Sequence, residues 1–63
     1  MAFYQCFKTI DRTTYCSSTQ FKNHDEGADW ISRCIEHFQL KANDLKGKPW
    51  EADSQPDNAT IWP

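Results

Sequence analysis

The stretch between Asn23 and Gly47 constrains this chain more than any other, because signals for both ends of a helix bracket an apolar stripe of helical period. Asn23 can cap the start, with Glu26 three positions on in a capping-box arrangement, and the acids Asp25, Glu26 and Asp29 fall in the first turns, where the helix dipole favours negative charge. At the far end Lys41 and Lys46 suit the carbonyl terminus, Gly47 can take the left-handed capping conformation, and Pro49 forbids continuation. Between these signals Ala28, Ile31, Ile35, Phe38, Ala42 and Leu45 recur at steps of three and four. The spacing predicts a helix over 24–46 with one apolar face.

Upstream, "AFYQCFKTI" and "TTYCSSTQF" are rich in aromatic and β-favouring residues, with Asp11 and Arg12 between them at a turn. They predict a β-hairpin over 2–21. In the second strand Tyr15, Ser17, Thr19 and Phe21 share one face; in the first, Phe3 and Phe7 oppose Tyr4, Cys6 and Ile10. The turn lacks an Asn-Gly or Asp-Gly pair, so the register is open, and Cys6 lies opposite Cys16 or one residue off. Downstream, 48–63 carries Pro49, Pro56 and Pro63 and reads as an extended C-terminal extension that Trp50, Ile61 and Trp62 can clip back, with "ATIW" able to add a short edge strand. The expected fold class is therefore α+β, a single small domain: an N-terminal hairpin packed on one long amphipathic helix.

Core material is scarce. Four Ile, two Leu, four Phe and no Val give ten residues of these types in a chain of 63, against nine aromatics. So low a fraction raises the question of disorder, but the net charge of -2 is too small for that class, and aromatics must do most of the packing. Small domains short of core commonly add disulfides, a metal or a second subunit. A 23-residue helix would span roughly 34 Å and overhang strands of roughly 28 Å. An overhanging apolar end and the unpaired edges of a two-stranded hairpin both lead us to expect a homodimer.

Three cysteines cannot all pair within one chain, and their scatter is unlike a dense secreted framework, so reduced thiols are the expectation. The N-terminal residues have no secretory pattern and no apolar run reaches the length of a membrane span, which points to a soluble protein of the cytoplasm, of a host if viral. "NAT" at 58–60 matches the glycosylation acceptor pattern but requires a secretory route.

Cys34 and His37 stand at i and i+3 and can meet one metal, with Cys6 and Cys16 completing a Cys3His set if the hairpin lies on the helix. Against this zinc-stabilised alternative, no Cys-x-x-Cys knuckle is present, and a cysteine flanking an apolar seam usually packs as a small hydrophobe. The sequence gives no other cofactor site. A Cys34/His37 nucleophile pair would need an orienting group and a sheltered pocket, for which the chain has little material, and Gly27 and Gly47 form no phosphate loop. The expectation is that the protein is not an enzyme.

Charge is polarised. Residues 1–23 carry Lys8, Arg12 and Lys22 against Asp11; residues 24–40 carry Asp25, Glu26, Asp29 and Glu36 against Arg33. This favours a protein-binding module in which those four acids, with Trp30, Trp50 and Trp62, dock on a larger basic protein, such as one that processes nucleic acid. Small stoichiometric inhibitors, including those that phages direct at host enzymes and defence systems, work in this physical way. The alternative is single-stranded nucleic-acid binding, with Phe3, Phe7 and Tyr15 stacking bases beside Lys8, Arg12 and Lys22, although an isoelectric point near 5.5 is far from basic.

Overall fold

In the computed structural model, which describes residues 2–63, a mixed four-stranded sheet carries one α-helix on one face. Strands β1 (Phe3–Lys8) and β2 (Thr14–Phe21) form the predicted antiparallel hairpin, and helix α1 (His24–His37) follows directly. A short 3-10 turn at Ala42–Asp44 leads to β3 (Trp50–Ala52), and the chain ends in β4 (Thr60–Trp62). The sheet order is β3-β1-β2-β4, with β3 antiparallel to β1 and β4 parallel to β2. The α+β class and the hairpin packed on the helix are as the sequence predicts, and "ATIW" does supply an edge strand.

The hairpin turn works without glycine. Arg12 takes the left-handed conformation (φ 73°), its N–H donates to the Thr9 carbonyl at 3.0 Å, and the Asp11 carboxylate accepts from the Thr9 hydroxyl and from the Thr13 N–H. Cys6 stands directly opposite Cys16. Between that pair and Tyr4–Gln20 the ladder is irregular, and the buried Ser17 hydroxyl fills the gap, accepting from Gln5 N–H at 3.1 Å and donating to the Thr19 carbonyl at 2.7 Å. A side chain thus replaces the missing backbone partner, as buried N–H groups require.

The helix begins as expected: Asn23 accepts from the Glu26 N–H at 3.0 Å, and the Glu26 carboxylate reaches back to the Lys22 N–H. It ends at His37 rather than at 46. Gln39 enters the left-handed region (φ 57°), and its N–H bonds Glu36 O at 3.2 Å while Leu40 N–H bonds Ile35 O at 2.9 Å. These are the two bonds of a Schellman stop, with glutamine in the position usually held by glycine. The stop returns Leu40 to the core, and Leu45 reaches the same core from an isolated bridge with Thr9 that extends the β1–β3 pairing. Gly47 (φ 74°) turns the chain toward β3 and caps no helix.

Phe7, Trp30 and Cys34 form the buried centre, with Tyr15, Phe21, Ile31, Ile35, Phe38, Leu40, Leu45 and Trp62 packed around it. Aromatic geometry dominates: Phe7 stacks on Tyr15 at 5.0 Å and meets Trp30 at 5.8 Å. The helix is buried deepest along Gly27, Trp30 and Cys34, with Ile31, Ile35 and Phe38 of the predicted stripe packed beside them and Ala28 left outside. Gly27 is needed at this crossing, because a Cβ there would run into the Gln5 side-chain oxygen and come within 3.3 Å of the Phe3 ring.

Candidate partner-binding surface

The outward face of α1 is set by the same periodicity that buries its inner face. Residues 25, 29, 32 and 36 fall within a narrow angular band opposite the core and extend over roughly 16 Å of helix axis. They are Asp25, Asp29, Ser32 and Glu36, all exposed. Asp29 accepts from Arg33 Nε at 2.7 Å, the i,i+4 pair of an exposed helix, whereas Asp25 and Glu36 have no side-chain partner among the described residues. Glu26 is exposed too, but its carboxylate is engaged at the helix start. Beside this face, His24 pairs with Glu51 of β3.

The three tryptophans do not join the acids in one surface. Trp30 is only 5 % exposed and belongs to the core. Its expected place in a docking face is therefore corrected; the helix buries the ring because residues 27, 30 and 34 share the sheet-facing side. Trp62 is half-buried, stacked on His37 at 5.0 Å and tilted against Trp30 at 6.3 Å. Trp50 is 37 % exposed but lies on the opposite face of the sheet, in register with Cys6. Ile61 is 42 % exposed on that same opposite face, an orientation set by the parallel pairing of β4 with β2, which no local pattern in the sequence announces.

The four candidate metal ligands are not brought together. Cys6 and Cys16 are bonded to each other as a disulfide, with Cα atoms 4.2 Å apart, which corrects the expectation of reduced thiols. Phe7 points to the helix, so alternation turns Cys6 and its partner to the other face, and the sheet separates them from Cys34. Cys34 is sealed in the core, and His37 is exposed on Trp62. Burial pushes the Cys34 thiol up to about 11, so it stays protonated at neutral pH and is a poor nucleophile and a poor ligand. Among the described residues no group of three His, Cys, Asp or Glu side chains converges.

The three rings of the nucleic-acid alternative all lie on the helix side of the sheet. Phe7 is buried, Tyr15 is held between Phe7 and Phe38, and Phe3 packs on Phe21 and His24, all on the helix-covered face. Phe7 is enclosed and Phe3 and Tyr15 are half-buried against these neighbours, while Lys8, Arg12 and Lys22 are spread over the length of the hairpin.

Both physical grounds for expecting a homodimer are also missing. The hairpin edges are occupied within the chain by β3 and β4, and a 14-residue helix of roughly 21 Å does not overhang the sheet. No helix of the described residues is long and apolar enough to cross a membrane. Compared with protein-family models, with curated proteins and with solved structures, the chain matches none.

Proposed function

We propose that this protein is a small non-catalytic binding module that docks the outward face of α1 onto a basic surface of a larger protein and acts as a stoichiometric inhibitor or modulator of it. The observation that carries this reading is the stripe Asp25, Asp29 and Glu36, of which Asp25 and Glu36 are left without internal partners on a rigid helix. A helix anchored by a Trp30-centred core presents charges at fixed spacing, so little ordering entropy is lost on binding, and complementary charge raises both on-rate and selectivity. A basic cleft that ordinarily receives nucleic acid suits such a stripe, because carboxylates at regular intervals can stand in for phosphates. The reading extends to a cytoplasmic setting, in which a protein disulfide is usually transient.

A photo-crosslinking amino acid placed at Ser32, in the middle of the stripe, tests the proposal. The expected result is a single larger protein captured at that position, lost when Asp25→Lys, Asp29→Lys and Glu36→Lys are combined. Capture that persists in the triple variant, or crosslinks only between copies of this chain, contradicts it.

A further inference from the structure

On the face of the sheet turned away from α1, residues opposite one another in the four strands form a row: Trp50 of β3, Cys6 of β1, Cys16 of β2 and Ile61 of β4. The outer members are partly exposed, yet the disulfide between the inner two has no solvent exposure at all. The helix cannot supply that cover, because it lies on the other side. The cover on that side comes from the flanking side chains of Trp50 and Ile61 and from the connection between β3 and β4. Ala52 sits at one edge beside Tyr4 and Thr60 at the opposite edge beside Tyr15, so residues 53–59 must cross the sheet. That crossover is tied down by Gln55, whose Nε2 donates to the Ser17 carbonyl of β2 at 2.9 Å.

We propose that the Cys6–Cys16 disulfide is a redox-controlled clasp for the C-terminal segment 48–63: oxidised, it lets the crossover close over the sheet, and reduced, it forces the crossover open. Volume decides this. Bonded sulfurs lie about 2.05 Å apart, whereas two sulfurs in van der Waals contact stay about 3.5 Å or more apart. Two thiols in this sealed site therefore need more room than the disulfide, and close-packed interiors resist such insertion. Behind the pair stands the sheet, backed by Phe7, Trp30 and Cys34; in front are the flanking side chains of Trp50 and Ile61, each fixed to an edge strand, and the crossover, held to β2 by Gln55. The crossover is the part that gives way.

The coupling runs in both directions. A thiolate must reach a sulfur to break the bond, so the closed crossover shields the disulfide and reduction proceeds from the open state. With a dithiol reductant, one thiolate attacks Cys6 or Cys16 and displaces the other as thiolate, which takes up a proton. The second thiol of the reductant then resolves the mixed disulfide, leaving the reductant as a cyclic disulfide and the protein with two thiols, a net transfer of two electrons and two protons. Cys34 takes no part, because the sheet stands between it and the pair.

Hydrogen exchange read by mass spectrometry, on air-oxidised full-length protein and after reduction with dithiothreitol, tests the clasp. Reduction is expected to speed exchange in 48–63 by roughly tenfold or more, with little change in β1, β2 and α1. Gln55→Ala should accelerate reduction of the oxidised protein severalfold, and Cys6→Ala combined with Cys16→Ala, which has neither the bond nor the crowding, should keep 48–63 closed. If that double variant does not fold, the Gln55→Ala reduction rate decides alone. Air-oxidised protein with free Cys6 and Cys16 thiols overturns the proposal. So does exchange that rises uniformly along the chain or not at all in 48–63, or a reduction rate indifferent to Gln55→Ala.

Discussion

The indole N–H of Trp30 donates to the carbonyl oxygen of Trp62 at 2.9 Å, joining the middle of the helix to the last strand across 32 positions of sequence. This bond satisfies a buried polar atom and fastens β4, a strand of three residues, to the core. Replacing Trp30→Phe keeps an aromatic ring but removes the donor and some volume. The expected cost is about 2 kcal/mol, seen as a fall in melting temperature of about 10 °C in circular dichroism. A melting temperature within a degree or two of wild type would show that the bond contributes little.

Gly27 offers a test of sign. At an ordinary exposed helical position Gly→Ala stabilises by up to about 1 kcal/mol. Here the new methyl displaces the buried Gln5 amide, whose Nε2 donates to the Trp50 carbonyl at 3.0 Å. Gly27→Ala should therefore destabilise by about 1–2 kcal/mol in denaturant titration. The penalty should shrink when Gln5→Ala is present, and additive effects in that double-mutant cycle would refute the contact.

Gln39 sits in a left-handed conformation that costs a residue with a Cβ roughly 1–2 kcal/mol. Gln39→Gly relieves that strain and gives back part of it as unfolded-chain entropy, for a net stabilisation of about 0.5–1 kcal/mol in the same titration. A destabilised variant would mean that the helix does not stop as described.

That stop also explains what could and could not be read from the residues. The helix start, the hairpin and the terminal edge strand were legible because Asn23 with Glu26, the alternation of Tyr15, Ser17 and Phe21, and the apolar "ATIW" are local signals. The helix end was not: a glycine and a proline at 47 and 49 give a stronger local stop signal than a glutamine at 39, and only the gain from burying Leu40 and Leu45 separately makes the earlier stop worthwhile. Trp30 was misplaced for a related reason. The stripe from Ala28 to Leu45 takes in Ile31, Ile35 and Phe38, which pack on the core, but omits Gly27, Trp30 and Cys34, which are buried deeper because the face toward the sheet is wider than that stripe. The acids Asp25, Asp29 and Glu36 stand outside under either helix, so their exposure was legible whatever the helix length.

The hairpin turn carries a pH dependence. Asp11 is held below the ordinary carboxylate range, first by the Thr9 hydroxyl and then by Thr13. A depressed folded-state value means that the stabilisation is present above the unfolded value, near 3.8, and is lost as pH falls through the folded one. Asp11→Asn should flatten the acid limb of a stability-against-pH curve below about pH 4, leaving stability at neutral pH slightly lower. An acid limb that is unchanged in the variant would remove Asp11 from the account.

The most direct test of the acidic helix face is the affinity of the partner captured at Ser32 for wild-type protein and for the variant combining Asp25→Lys, Asp29→Lys and Glu36→Lys, measured at low and high salt. The expected result is at least roughly tenfold weaker binding by the variant, steep weakening of the wild type with salt, and unchanged circular dichroism for both. Equal affinities with no salt dependence would contradict it and move the binding surface elsewhere on the molecule.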